Sequence, residues 1–286
     1  MVNKSYAERT TQPLEVPVTH AIVPRDLDVD FAAVPRHWMA DHAAATAVAN
    51  GINLLFPHGE RFFVRSVKQF LDRIDDPVLR AQIKGFFGQE GRHAREHDRF
   101  NEILRRQGFE IDRFLDTYER LTLWIEARTP PALRLAITAA CEHFTAILAE
   151  GAFRHGVLDS CAPEMRALLA WHAAEEIEHK AVAYDVLQQI DPSYGLRVLG
   201  LAMATALLGG FWLWASTVLL HQDGLRWPGA LGRLRALPGR DPVIRRVFLR
   251  GIREYLRRDF HPSQQPNEHL AAEWFAAHGM TMPEAA

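Results

Sequence analysis

Two short segments place a glutamate three residues before a histidine, at Glu90–His93 and at Glu176–His179. Residues three or four apart lie on the same face of an α-helix, so each segment would present a carboxylate beside an imidazole. In the second segment His172 lies one turn before Glu176 and extends that face. Carboxylate oxygens and neutral imidazole nitrogens are ligands for iron, manganese and zinc ions. The spacing therefore predicts two helices that carry metal ligands.

Each of these segments follows a helical segment that contains another glutamate, Glu60 before the first and Glu142 before the second. One glutamate from each of two helices, with Glu-x-x-His from each of two others, is the ligand pattern of ferritin-like di-iron proteins. The pattern predicts a centre for two metal ions, with iron as the first expectation and manganese or zinc as alternatives. Its predicted ligands, to which His172 could add a third imidazole, are Glu60, Glu90, His93, Glu142, Glu176 and His179.

A competing interpretation is that these residues form ion pairs on helix surfaces, because Glu, His and Arg are abundant in the chain. Two ligand positions also have a rival. Glu150 competes with Glu142 as the inward carboxylate of its helix, and His58 competes with Glu60. His97 is expected behind the ligands or at the surface.

The composition limits the classes of protein that the chain can represent. It has 286 residues, 48% of them hydrophobic, which is enough for a substantial core. The net charge of −2 gives no general attraction to nucleic acid, so no nucleic-acid partner is expected. The two cysteines, Cys141 and Cys161, form no C-x-x-C motif, which argues against a disulfide scaffold or a zinc ribbon. No secretory signal pattern is visible, and a cytoplasmic location is the expectation.

Helical periodicity interrupted by prolines predicts an all-α fold, because no alternating strand pattern occurs. A helix from Trp38 is expected to end or kink at Pro57. The central helix is expected to start at Pro163 and continue to Asp191. The predicted domains are an irregular N-terminal arm at 1–34, a ferritin-like four-helix bundle at 35–192, an apolar helix at 193–225 and an Arg-rich C-terminal helical extension at 226–286.

The segment from Val198 to Leu220 carries no charge and is long enough to span a bilayer. Three interpretations stay open: a true span, a re-entrant or monotopic insertion, and a helix buried in the fold or in a homodimer interface. The arginines that follow the segment argue against a span, since such flanks stay on the cytoplasmic side. The expected partners therefore include a membrane surface and a second copy of the chain.

Four stretches resemble a bacterial family labelled "predicted metal-dependent hydrolase", which is considered ferritin-like. They read NGINLLFPHGERFFVRSV, FFGQEGRHAREHDRFNE, AACEHFTAILAE and WHAAEEIEHKAVAYDV, and the resemblance covers the chain from about Ile22 to Pro262. The triple of His172, Glu176 and His179 is also similar to the last metal helix of the di-iron arylamine N-oxygenases. That resemblance implies seven ligands: Glu60, Glu90, His93, Glu142, His172, Glu176 and His179.

The leading functional hypothesis is a non-haem di-iron enzyme that activates O2 to oxidise an organic, apolar substrate with the help of an electron donor. One alternative is a metal-dependent hydrolase that uses a metal-bound hydroxide as its nucleophile. Another is a non-catalytic metal-binding or membrane-associated protein. The sequence contains no constellation of catalytic residues separate from the metal ligands, as chemistry centred on a metal would predict.

Overall fold

The computed structural model describes residues 21–236 and 249–280, and most of these residues are helical. Within them the only β-pairing is an isolated bridge between Met39 and Cys161, so the predicted all-α fold is confirmed. Short 3-10 helices lie at Phe31–Ala33, Leu71–Arg73 and Pro262–Gln264. The α-helices are α1 Ala43–Asn53, α2 Phe56–Lys68, α3 Pro77–Arg106, α4 Asp112–Arg128, α5 Pro131–Arg154, α6 Pro163–His179, α7 Val182–Ile190, α8 Tyr194–Gln222, α9 Trp227–Ala236, α10 Gly251–Tyr255 and α11 Glu268–Ala277.

Prolines and capping residues set the ends of the helices that matter for the site. Asp76 caps α3 by accepting a hydrogen bond from the backbone N–H of Val78, and Pro77 occupies the first turn, where its missing N–H costs nothing. Pro131 and Pro163 likewise occupy the first turns of α5 and α6, which have no side-chain cap. The start at Pro163 agrees with the sequence prediction.

The structure departs from the sequence prediction at two helix boundaries. The first helix begins at Ala43 rather than Trp38, because Ala40 and Asp41 have positive φ angles of 56° and 51°, which a right-handed helix does not allow. The predicted single helix after Pro163 is two helices, since α6 ends at His179 and α7 begins at Val182.

Four helices surround the centre of the molecule. Helix α2 packs against α3 and α5, and α6 packs against the same two helices. Along α3, hydrophobic residues at 79–86 belong to one core cluster and residues at 100–104 to another. Helix α6 with α7 has the reverse order: residues at 165–171 belong to the cluster of 100–104, and residues at 182–187 belong to the cluster of 79–86. The buried polar residues of both helices lie between the clusters. The ferritin-like bundle topology stays a prediction.

The terminal segments and α8 pack around these four helices. In the arm, Ile22 and Pro24 lie directly against Gly85 and Gly88 of α3, where a side chain would collide with them. The predicted arm at 1–34 includes residues 1–20, and the predicted Arg-rich extension at 226–286 includes residues 237–248 and 281–286. Residues 1–20, 237–248 and 281–286 lie outside the described residues, so these domain boundaries stay predictions.

Within the described part of the chain, two helices are long and apolar enough to cross a membrane by length and composition. The most apolar stretch of α5 is 78% buried, as expected of a core helix, whereas that of α8 is only 22% buried. Helix α8 lies alongside α1 and α5. Its burial is therefore too low for the interpretation that it is simply a core helix of one chain.

Candidate metal centre

The seven residues predicted as metal ligands converge in the middle of the bundle. Glu60 comes from α2, the first Glu-x-x-His pair from α3, Glu142 from α5 and the remaining three from α6. Every one of the seven is at most 4% exposed. This burial is inconsistent with the interpretation as surface ion pairs, because solvated side chains of this kind remain outside.

At one end of the cluster, His179 meets two carboxylates. Its Nε2 atom is 3.1 Å from Glu90 Oε1 and 3.1 Å from Glu142 Oε2. A metal ion at this end would have one imidazole and at least two carboxylates within reach.

At the other end, two imidazoles face two carboxylates. His172 Nε2 is 3.7 Å from Glu60 Oε1 and 2.9 Å from Glu176 Oε1. The ring of His93 stacks on that of His172, with centroids 4.1 Å apart. A metal ion at this end would therefore have two imidazoles within reach.

Two carboxylates reach both ends of the cluster. Glu176 Oε1 is 3.6 Å from His93 Nδ1 and 3.6 Å from His179 Nε2. Glu90 Oε1 is 3.9 Å from His93 Nδ1, in addition to its contact with His179. Glu90 and Glu176 are thus in position to be shared by two metal ions.

An amide fixes the ring of His179. Its Nδ1 is 2.8 Å from Gln89 Oε1. The NH2 group of Gln89 donates to the carbonyl of Val23, at 3.1 Å, and to the carboxylate of Glu178, so its oxygen must face the histidine. Nδ1–H is therefore the donor, and Nε2 is the atom left for the carboxylate cluster.

A carboxylate fixes the ring of His93. His93 Nε2 donates to Glu175 Oε2 over 3.0 Å, which leaves Nδ1 facing the cluster. Arg25 from the arm holds Glu175 through its backbone N–H, at 3.1 Å, and through its guanidinium, at 3.3 Å. The same guanidinium donates two hydrogen bonds to Glu178, at 2.8 and 2.9 Å. One arginine therefore supports the outer partners of both histidines.

A relay of side chains fixes the ring of His172. Asn53 donates its NH2 group to Asn101 over 3.1 Å, so its oxygen accepts a hydrogen bond from His97 Nδ1 at 2.6 Å. His97 Nε2 then accepts from His172 Nδ1, also at 2.6 Å. The Nε2 atom of His172 therefore faces the cluster. Each of the three histidines thus has one ring nitrogen facing the cluster and the other bound to an outer partner.

The buried cluster lacks hydrogen-bond donors of its own. Both carboxylate oxygens of Glu60, Glu90 and Glu142 have no hydrogen-bond partner, and neither has Nδ1 of His93. Buried polar atoms are normally paired, and an unpaired one costs about 1–3 kcal/mol. Four carboxylates and three imidazoles around one small volume are instead what two divalent cations require, since their charges would balance. The donor set therefore fits a two-metal centre.

The pKa values of the cluster describe the same imbalance of charge. Burial raises the pKa of Glu60 and of Glu90 well above the usual range, and neighbouring carboxylates raise both further. Burial and Glu176 raise the pKa of Glu142 to about 7. Burial alone would lower the pKa of His179, but the carboxylates facing it raise its pKa well above the usual value. Without a cation the cluster holds protons that metal binding would release.

The rival candidates lie elsewhere. The carboxylate of Glu150 accepts hydrogen bonds from Arg154 Nε at 2.9 Å and from Asn267 Nδ2 at 3.1 Å, away from the cluster. His58 is half-buried, and its Nδ1 atom lies 3.8 Å from Oε1 of Glu119. His97 holds a ligand histidine from behind, as expected, although it could also form a cation-binding group with Glu60 and His172.

An apolar cavity of about 100 Å³ lies beside the cluster and shares Glu60 with it. Helices α2, α4, α5 and α8 form its walls. Its lining includes Phe56, Phe63, Tyr118, Ile137, Leu208 and Phe211. An apolar molecule in this cavity would lie next to the carboxylate of Glu60.

Comparison with known proteins identifies the family of the chain. A family model described as "Predicted metal-dependent hydrolase" matches residues 23–266. The chain belongs to this family. The resemblance to that family drawn from the sequence is confirmed, and the matched range contains all seven donors. No curated protein and no solved structure matches the chain. The similarity to arylamine N-oxygenases stays a prediction.

Sequence reasoning missed three of the residues that orient the donors, namely Gln89, Arg25 and Asn53. Gln89 directly precedes Glu90, and this adjacency is the only sequence signal that it carries. Arg25 acts on Glu175 across 150 residues of chain, so no local spacing connects the two. Asn53 likewise reaches His97 only because α1 folds beside α3.

Proposed function

We propose that the chain is a two-metal hydrolase that acts on an apolar organic substrate. The observation that carries the proposal is a set of buried carboxylates and imidazoles whose free oxygen and nitrogen atoms face one another without donors between them. Membership of a family of predicted metal-dependent hydrolases favours hydrolysis over the oxidation expected first from the sequence.

In this proposal each end of the cluster holds one metal ion. Glu142 and His179 belong to one end, and Glu60, His93 and His172 to the other. Glu90 and Glu176 belong to both ends. Two ions bound in this way would lower the pKa of a bound water towards neutrality and polarise the bond that it attacks.

The protein residues then have three tasks. The outer partners Gln89, Glu175 and His97 keep one nitrogen of each donor histidine free of a proton. The apolar walls of the cavity bind the substrate and exclude water from its apolar part. The carboxylates hold the charge of the metal ions and release their own protons when the ions bind.

A second candidate is the oxidation of an apolar substrate by O2 at two iron ions. The distribution of ligands favours it, because one glutamate each from α2 and α5 with Glu-x-x-His from α3 and α6 is the di-iron carboxylate arrangement. This reaction requires an external electron donor, whereas hydrolysis requires none.

Elemental analysis of anaerobically purified protein is the first test. About two metal ions per chain are expected, and Glu90→Ala or His179→Ala should each lose at least one of them. His143→Gln is the matched control, since His143 follows Glu142 but donates its Nε2–H to the carbonyl of Gly251 over 3.0 Å. Full metal retention in both ligand variants would remove those residues from the centre.

The reaction is tested on the loaded protein with p-nitrophenyl esters of increasing chain length and, separately, with an oxygen electrode. Metal-dependent ester hydrolysis that His179→Ala abolishes would support the proposal. Oxygen consumption by the reduced iron form without hydrolysis would establish the second candidate. Two bound metal ions with neither activity would leave a non-catalytic metal-binding protein and contradict both.

A further inference from the structure

Helix α8 presents an uncharged stripe to its surroundings. Its exposed residues recur every three or four positions, so they lie on one face along the whole helix. Leu199 and Leu213 on this stripe are 49% and 57% exposed. A helix on the surface of a soluble protein normally turns charged residues outwards, and α8 has none there. The stripe consists of Gly195, Leu199, Ala202, Ala206, Gly210, Leu213, Thr217 and His221.

The opposite side of α8 is fixed to the bundle along its length. Near its start, Gly200 lies against the backbone of Ala136 in α5. In its second half, the indole N–H of Trp212 donates to the carbonyl of Val48 in α1 over 2.8 Å. A bilayer-spanning α8 would carry α5, and with it Glu142, into hydrocarbon, where buried carboxylates are most costly. The packing therefore favours a helix that lies parallel to a membrane surface.

Exposed arginines lie at both ends of the stripe. At the start of α8, Arg258 stacks over the ring of Tyr194 at 4.4 Å. Beyond its end, Trp227 donates its indole N–H to Thr217 over 2.8 Å, which brings α9 with exposed Arg233 and Arg235 beside the stripe. An apolar stripe with cationic residues at its ends is complementary to a lipid surface that carries anionic headgroups.

We propose that the α8 stripe docks on an anionic lipid bilayer, and that the cavity beside Glu60 takes its apolar substrate from that bilayer. The neighbouring side of α8 contributes Leu207, Leu208 and Phe211 to the cavity wall, so one helix separates lipid from the metal ligands. A lipid-soluble molecule would reach the cavity without crossing water. The docking rests on the α8 stripe and the arginines at its ends, whereas the origin of the substrate rests on the proposed function.

Vesicle flotation tests the docking with the full chain. The protein should float with phosphatidylcholine vesicles that contain phosphatidylglycerol and bind pure phosphatidylcholine more weakly, because the arginines lose their partners. Leu213→Glu and Leu199→Glu should each reduce binding about tenfold or more, since they place a charge in the apolar contact. Val78→Glu is the matched control, because Val78 is 46% exposed at the start of α3 and should have no effect.

Two results would overturn the docking: wild-type protein that stays in solution with both vesicle types, or Leu213→Glu protein that floats like the wild type. A dimer in solution that Leu213→Glu converts to monomers, without flotation, would assign the stripe to a second copy of the chain. Flotation needs no turnover, so its outcome is independent of the reaction. Flotation without hydrolysis would support the docking and refute the proposed function. Hydrolysis of soluble esters without flotation would support the proposed function and refute the docking.

Discussion

The three donor histidines differ in the residue that holds each ring. A carboxylate, Glu175, holds His93, whereas an amide, Gln89, holds His179. A carboxylate acceptor draws the N–H proton more strongly and makes the other nitrogen a better electron donor. The two ends of the cluster would therefore bind metal ions with different strength, and the end with His93 should be the tighter one.

Arg25→Met should weaken metal binding although Arg25 touches no donor. Glu175 and Glu178 would lose their buried counter-charge. Burial raises the pKa of Glu175 to about 8 while the charge of Arg25 lowers it, so removal of Arg25 should raise this pKa further and protonate more of the carboxylate. A protonated Glu175 is a poorer acceptor for the ring of His93, so we expect a loss of about 10–100-fold in affinity. Competition with a coloured chelator measures this.

The matched control for this prediction is Arg92→Met, which removes an arginine that binds Asp26 of the same arm over 3.0 Å. It should leave metal affinity within about twofold, since it touches neither outer carboxylate. Equal losses in both variants would mean that Arg25 only attaches the arm.

At this scale the sequence predicted the seven residues that converge, whereas it missed most of the side chains that support them. Glu176 and His179 share a helix face, so their spacing alone places them together. The hydrogen bonds of Arg25 and Asn53 depend on which segments become neighbours in the folded chain, and the spacing of residues contains no record of that.

Helix α5 serves two structures through adjacent residues. Glu142 points into the metal cluster, and His143 binds the backbone of α10 through the carbonyl of Gly251. The rings of Tyr255 and Phe260 enclose His143, with centroids 5.1 and 4.9 Å away. The same helix therefore connects the C-terminal extension to the site.

His143 should make stability depend on pH. Burial lowers its pKa from 6.5 to about 4. Between these values the unfolded chain binds the proton and the folded chain does not, so stability falls as the pH falls from 6.5 to 4, by up to about 3 kcal/mol. Urea unfolding at several pH values should show a shallower loss in His143→Gln, whose amide can still donate to Gly251. Parallel curves for the two proteins over this window would contradict the assignment.

Gly200→Ala should separate α8 from α5. A Cβ at Gly200 would lie 2.6 Å from backbone atoms of Ala136, which cannot move aside as a side chain can. We expect destabilisation of about 1–3 kcal/mol, seen as a lower Tm. Gly209→Ala is the control, because nothing lies within 4 Å of its added Cβ. It should stabilise the helix by up to about 1 kcal/mol. The same effect in both variants would mean that the close approach does not matter.

Helix starts were predictable where a proline or a capping residue marks them, as at Pro77 and Pro163. The break after His179 carries no such residue. It lies where Lys180 turns its ammonium group to Gln265 and Asn267 of the C-terminal segment, a contact between distant parts of the chain. The sequence pattern there is helical throughout, and tertiary contacts override it.

For the molecule as a whole, a layer of buried charge lies between two hydrophobic clusters. The carboxylates of this layer raise one another's pKa, and bound cations would neutralise their charge between the two halves of the core. The all-α class followed from periodicity, but the order of cluster, polar layer and cluster emerges only when α3 and α6 are placed side by side.

Removal of metal should lower the stability of the whole chain. A ligand that binds only the folded state stabilises it by about 2.7 kcal/mol at a concentration of 100 times Kd, and two ions would contribute more. Thermal unfolding with and without EDTA, followed by metal addition, should show a reversible fall in Tm. Glu90→Ala should respond less to the chelator than the wild type does. A Tm that EDTA leaves unchanged would speak against a metal centre in the core.

The arginine that supports two donor histidines also determines how much of the chain a working site needs. Every donor lies between Glu60 and His179, yet Arg25 comes from the arm, and its guanidinium lies 3.6 Å from the ring centroid of Phe275 in α11. A bundle trimmed to 35–192 would keep all seven ligands and lose both of these residues. The site therefore depends on nearly the whole described chain. The N-terminal arm and helix α11 both contact α6, from opposite ends of the described residues. Shortening the gene from either side should impair the centre before any ligand is removed.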